Sequence, residues 1–267
     1  MKDLILVKLG GSVITDKAKP FTARVEVIKR LAERLKSRYL NPDIDLIIGH
    51  GAGSFAHVPA AKYQTQKGII NEIQSKDYKD SIWGFSLTAN AAIQINRIVI
   101  KEFLKLKIPV VSFAPMSFIY GNKMILGHIK KSLEIGVTPI IYGDTIMNKR
   151  PGFEIYSGEK ILDIIASKLS PLYKKVRIIY YTDTNGVYDS HGVTIPLITP
   201  KNFKEVKKFI LGSDNIDVTG GMVHKVMESL KLAQKIDAEI YVLNGLSRGK
   251  FTRISKHVGV DSDNFKP

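Results

Sequence analysis

Glycine-rich stretches flanked by lysine or histidine are the residues of this chain best suited to chemistry on phosphate. The first, Val7-Lys8-Leu9-Gly10-Gly11-Ser12 followed by Asp16-Lys17, sets paired glycines where an apolar run ends. Without a Cβ the backbone turns tightly and presents its N–H groups to an anion, and Lys8 and Lys17 add compact positive charge. The second, Gly49-His50-Gly51-Ala52-Gly53-Ser54-Phe55-Ala56-His57, carries histidines on both sides. Gly51, Gly53 and Ala56 satisfy the G-x-G-x-x-A dinucleotide pattern. A histidine facing such a loop donates a hydrogen bond to a phosphate oxygen, and the plainer alternative has one histidine satisfied in the core and the other exposed. The third, Asp217-Val218-Thr219-Gly220-Gly221-Met222-Val223-His224-Lys225, puts glycines before a helical stripe, where N-terminal N–H groups favour phosphate. It lacks the G-K-[ST] ending of a Walker A loop. Together the loops suit phosphoryl transfer, in which positioning and charge neutralisation supply most of the catalysis.

These loops need rigid elements to hold them. Val- and Ile-rich runs at Leu4 to Leu9, Ile44 to Gly49, Pro109 to Phe113, Pro139 to Tyr142, Val176 to Thr182 and Glu239 to Leu243 alternate with helical stripes. None shows in/out alternation, which predicts an α/β protein whose mainly parallel sheet is covered on both faces. The stripes are Val25, Ile28, Leu31 and Leu35, then Ile161, Ile164, Ile165 and Leu169, then Val223, Val226, Leu230 and Ala233. Tyr120-Gly121-Asn122-Lys123 and Lys149-Arg150-Pro151-Gly152 read as hairpin turns at the rim of the sheet. With no internal repeat or low-complexity linker, two lobes sharing one sheet are expected.

At 267 residues the chain is long enough for roughly one to two domains. Its 44% hydrophobic and 24% charged residues exclude disordered and collagenous classes. The net charge of +15 suits phosphorylated small molecules, nucleic acid or an anionic surface as partners, or simply a solvated surface. Zero cysteines exclude disulfides and thiolate sites. No apolar run reaches the roughly 18 to 20 residues of a membrane helix, and the first residues lack a secretory cleavage pattern, so a cytoplasmic protein with no membrane partner is expected. No nucleic-acid-binding motif is present.

VKLGGS, HGAGSFAH, YTDTNGVY and DVTGGMVHK occur in the order in which the amino acid kinase family carries its signatures, and together they resemble that family over nearly the whole chain. HGAGSFAH resembles the branch that phosphorylates small phosphates. The resemblance implies an open αβα sandwich over 1–267, with an acceptor lobe at about 1–170 and a nucleotide lobe at about 171–267. It implies transfer of the ATP γ-phosphoryl group to isopentenyl phosphate, giving isopentenyl diphosphate for isoprenoid synthesis. A fosfomycin-type acceptor is the alternative, and a homodimer is the implied assembly.

By the same resemblance, Lys8, Gly10, Gly11 and Ser12 hold the ATP phosphates and Lys17 stabilises the transferring group. Ala52, His57 and Gly158 contact the acceptor, while Gly53 approaches the nucleotide phosphate. Asp183 and Gly186 line the base and ribose, and Gly220, Gly221 and Lys225 close on the phosphates. Ala52 and Ala56 stand where relatives have glycine. Glu159 stands where relatives carry the aspartate that organises the catalytic lysines, with Asp163 as fallback; Asp144 is either a lysine partner or a helix cap. Mg²⁺ is expected on the ATP phosphates rather than in a carboxylate cage. Ile82 to Leu87, with Ala91, Ala92 and Ile95, is either an apolar-tail wall or ordinary helix packing. An NAD-dependent oxidoreductase rests only on G-x-G-x-x-A, and Glu72 does not read as the acidic strand end it requires.

Overall fold

Runs that are apolar on both faces must be covered on both faces, and they assemble here into one twice-covered sheet. The computed structural model describes residues 1–69, 75–149, 152–212, 221–259 and 267. The first half of the chain runs β1 (Asp3–Leu9), α1 (Gly11–Ile14), α2 (Val25–Tyr39), β2 (Ile44–His50), α3 (Gly53–Lys62), α4 (Lys76–Lys105), β3 (Val110–Phe113), α5 (Pro115–Phe118), β4 (Ile119–Tyr120), β5 (Lys123–Met124) and α6 (Gly127–Glu134). The second half runs β6 (Thr138–Tyr142), β7 (Asp144–Met147), β8 (Phe153–Tyr156), α7 (Gly158–Leu169), β9 (Val176–Thr182), β10 (Leu197–Ile198), α8 (Phe203–Gly212), α9 (Gly221–Ile236), β11 (Glu239–Asn244) and β12 (Phe251–Ile254).

Eight strands pair in the order β10-β12-β11-β9-β1-β2-β6-β3. Every adjacent pair is parallel except β11 with β12. The chain turns from one half of the sheet to the other beside β1, which lies between β2 and β9. Ligands of open α/β sheets bind outside strand carboxyl ends at such a switch point.

Alternation along β1 sorts its side chains into two layers. Leu4 and Leu6 pack with Ile161 and Ile165 of α7 and Val226 and Leu230 of α9. Ile5, Val7 and Leu9 pack with Leu31 of α2 and Val99 and Phe103 of α4. Lys8 shares the parity of Leu4 and Leu6, so it emerges on the α7/α9 side. In α2, Ile28, Leu31 and Leu35 are buried, whereas Val25 at its first position is exposed.

The two turn sequences do close hairpins, β4–β5 and β7–β8, each a two-stranded sheet apart from the main one. Gly121, at φ +54, sits in the first turn; Arg150 and Pro151 of the second lie outside the described residues. Strands β10 and β12, at one edge of the sheet, have no counterpart among the expected runs.

Candidate functional site

Parallel pairing of β1 with β2 sets Leu9 beside His50, so the loops that follow emerge side by side. Gly10 donates its N–H to the Tyr181 carbonyl at 2.9 Å, and Gly51 donates to the Leu9 carbonyl at 3.0 Å. A Cβ on Gly11 would stand 2.6 Å from the Gly53 nitrogen, and one on Gly53 would stand 2.0 Å from Thr15 Oγ1. Gly53 also has φ +51, a left-handed backbone that side chains strain. Thr15 fastens the two loops, donating to the Gly11 carbonyl at 2.7 Å and accepting the Ser54 N–H at 3.0 Å. The spacing of Gly51 and Gly53 thus serves contact between two loops of this chain. Glu72, which the dinucleotide reading requires at a strand end, lies outside the described residues.

Three charged side chains converge beneath these loops. Lys8 Nζ lies 2.7 Å and Lys225 Nζ 3.1 Å from the same Glu159 oxygen. Strand β1 supplies the first, the first turn of α7 the carboxylate and the first turns of α9 the second lysine. Burial raises the Glu159 carboxyl, but Lys8 and then Lys225 outweigh it and hold it at about 2. Burial pulls the Lys8 ammonium below its ordinary value, with Glu159 opposing. One carboxylate between two ammonium groups leaves a net positive centre, which an anion completes.

A second pair joins Lys17 to Asp183 at 2.9 Å. Partial burial raises the Asp183 carboxyl, and its contact with Lys17 more than offsets that, leaving it below its ordinary value. Asp183 therefore stands beside Lys17 on the cavity wall, whereas Gly186 is not on that wall. Gly186, at φ +101, packs instead against Thr252, whose Oγ1 would be 2.5 Å from an added Cβ.

The cavity, about 750 Å³, is walled on one side by Lys8, Gly10, Gly11, Ser12, Ala52 and Gly53. Its remaining wall includes Ala56, Ala60, Ala61, Thr88, Ala92 and Ile155. His57, Lys17, Gly158 and Lys225 also line it, so the structure brings nearly all the expected residues to one place. Glu159 is reached from a neighbouring groove between α7 and α9. Gly221 opens α9, and Gly220 lies outside the described residues.

The histidines divide. His50 is fully buried, stacked on Tyr142 and within 3.1 Å of Asn96 Oδ1, and burial lowers its basicity. His57 is exposed on α3 and faces the cavity. Asp144 is neither lysine partner nor helix cap: it begins β7, is buried, and accepts the Thr145 N–H at 2.7 Å. Burial pushes its carboxyl up to about 7. Asp163 bonds Tyr180 rather than a lysine. Of the expected tail wall, Ala92 lines the cavity, Ala91 and Ile95 are core, and Trp83 is 57% exposed.

Two residues escaped the sequence reading. Thr15 is an ordinary threonine until the loops are seen in contact. Ser54, among the residues lining the cavity, has a buried hydroxyl without a hydrogen-bond partner. Its signal was its place in the first turn of a helix after a glycine loop.

The geometry has counterparts among known proteins. The chain is 32% identical over 250 residues to the isopentenyl phosphate kinase of Methanocaldococcus jannaschii, spanning 91% of each chain. It is 34% identical over 262 residues to that of Methanothermobacter thermautotrophicus, spanning 94% of each. An X-ray structure of isopentenyl phosphate kinase superposes with a TM-score of 0.76 at 28% identity, covering 94% of this chain and all of the other. The family model described as the amino acid kinase family matches residues 3–244, and this chain belongs to that family.

Proposed function

We propose that the chain transfers the γ-phosphoryl group of ATP to the phosphate of isopentenyl phosphate, releasing ADP and isopentenyl diphosphate. The observation that carries this reading is the Lys8–Glu159–Lys225 bridge beside a cavity whose walls are glycine loops on one side and small apolar residues on the other. Backbone donors and lysines suit two phosphate groups, and alanines with Ile155 suit a short hydrocarbon tail. Two relatives above 30% identity named isopentenyl phosphate kinase favour this acceptor over a fosfomycin-type one.

In this reading one acceptor phosphate oxygen forms the new bond to the γ-phosphorus as the bond to the ADP oxygen breaks. The nucleophile is already anionic, so no strong base is needed. Lys8, Gly10, Gly11, Ser12 and Gly53 hold the ATP phosphates, and Gly221 and Lys225 approach from α9. Lys17, tethered by Asp183, neutralises charge on the transferring group, and Glu159 fixes the separation of Lys8 and Lys225. His57, the Ala52 N–H and Gly158 position the acceptor. The acceptor occupies the lobe of about residues 1–170 and the nucleotide that of about 171–267. Glu159 and Asp183 are engaged by lysines, and the described residues hold no cluster of three metal-ligating side chains. Mg²⁺ bound through the ATP phosphates and water would supply further charge neutralisation there.

ADP release measured with isopentenyl phosphate, fosfomycin, UMP and N-acetylglutamate tests the acceptor. The expected result is a kcat/KM for isopentenyl phosphate at least about a hundredfold above the others. Equal or better turnover of another acceptor overturns the assignment.

A further inference from the structure

Behind the Lys8–Glu159 pair lies a second polar contact that the transfer reading leaves unused. Lys8 and Tyr180 are direct neighbours across the β1–β9 pair. Glu159 and Asp163 lie four residues apart on α7 and so share one helix face. The two spacings match: Lys8 Nζ meets Glu159 at 2.7 Å, and the Tyr180 hydroxyl donates to Asp163 Oδ1 at 2.5 Å. Tyr180 is 1% exposed, which fixes the donor that aims the Asp163 carboxylate.

A buried phenol needs an acceptor, but a neutral one would suffice. A second carboxylate one turn from Glu159 is unfavourable unless a cation gains from it. We propose that Asp163, aimed by Tyr180 one helix turn beyond Glu159, is a positioning residue for phosphoryl transfer that acts on Lys8 as a second carboxylate. This rests on the function proposed above.

The charged surroundings fit. Lys8 is faced by Glu159 and Asp163 of α7, Lys225 of α9 and Tyr180 of β9; burial and Lys225 lower its basicity, while Glu159 and Asp163 raise it. Asp163 is faced by Tyr180, by Glu159, by Glu228 of α9 and by Lys8; burial first, then Glu159 and Glu228, push it up to about 6 despite the Tyr180 bond. His224, Lys160 and Lys168 line the same groove. Above about pH 6 Asp163 carries its charge, and it then opposes loss of the Lys8 proton as pH rises.

The test is kcat with isopentenyl phosphate, and ATP affinity by calorimetry without acceptor, from pH 6 to pH 10 for wild type, D163N and Y180F. Asparagine keeps an acceptor for Tyr180 and removes only the charge. For D163N the expected kcat is within about twofold of wild type at pH 6, with a deficit that grows several-fold toward pH 10 as the alkaline limb moves down. ATP affinity shifts in the same direction, and Y180F, which frees the carboxylate, shows a smaller shift of the same sign. Should D163N fail to fold, Y180F is read by the same criterion. A deficit equal at every pH, or superimposable profiles, overturns the proposal, because a merely structural role does not move a titration. A wild type inactive on isopentenyl phosphate contradicts only the functional reading, since the pH dependence of ATP affinity still judges Asp163.

Discussion

Glu159 Oε1 lies 2.7 Å from Lys8 Nζ, a contact between residues 151 positions apart in sequence. It holds a strand-borne ammonium against the first turn of a helix, and Lys225 adds a second cation at 3.1 Å. In E159Q two ammonium groups face a neutral amide. The expected loss in kcat is about a hundredfold.

The same variant changes stability. Glu159 titrates near 2 in the folded chain against an ordinary 4.5, so its ionised form stabilises the fold at neutral pH. That contribution is complete above about pH 4.5 and is lost as pH falls through 2, and the burial that lowers the Lys8 ammonium offsets part of it. Urea titrations are expected to show E159Q about 3 kcal/mol less stable than wild type at pH 7, with the gap narrowing as pH falls to 2.

Asp144 has the opposite sign. Burial raises its carboxyl to about 7 from 3.8, so the ionised form costs folding free energy that is fully present above pH 7 and absent below pH 3.8. D144N retains an acceptor for the Thr145 N–H and removes the charge. Thermal melts are expected to show D144N above wild type by several degrees at pH 8, with no gain at pH 4.

Gly53 tests whether the two glycine loops must touch. Alanine there meets Thr15 Oγ1 and a positive φ, whereas alanine at Gly127 meets nothing within 4 Å. G53A is expected to lose about 2–4 kcal/mol of stability together with ATP affinity, and G127A neither. Denaturant midpoints and calorimetric ATP titration check both.

His57 and His50 separate site from scaffold. H57A is expected to keep its melting temperature and ATP affinity while losing acceptor binding and turnover. H50A removes a buried ring from Tyr142 and Asn96 and is expected to lower the melting temperature instead. Melting curves beside acceptor KM distinguish the two.

The fold was legible where burial on both faces left uninterrupted Val/Ile runs, as in Leu4–Leu9 and Val176–Thr182. It was not where a strand is too short or lies at an edge: β10 has two residues and β12 pairs antiparallel at the margin. At the site, glycines and lysines marked phosphate chemistry, but local pattern left His50 and His57 equivalent and only the family resemblance pointed to His57. That choice follows from β2 ending at His50, inside the sheet, and α3 carrying His57 out of it. Glu159 was expected from resemblance alone, and Asp163–Tyr180 required the β1–β9 register, which no local pattern encodes. Asp183 was expected on the nucleotide side of the site, and its contact with Lys17 emerges only from the packed loops.

In the reaction proposed, phosphate is transferred to phosphate. Phosphorus NMR of Mg-ATP, isopentenyl phosphate and the protein tests it most directly. A diphosphate monoester is expected to grow in step with ADP while the signal of isopentenyl phosphate falls. ADP accompanied only by inorganic phosphate, or an unchanged spectrum, contradicts it.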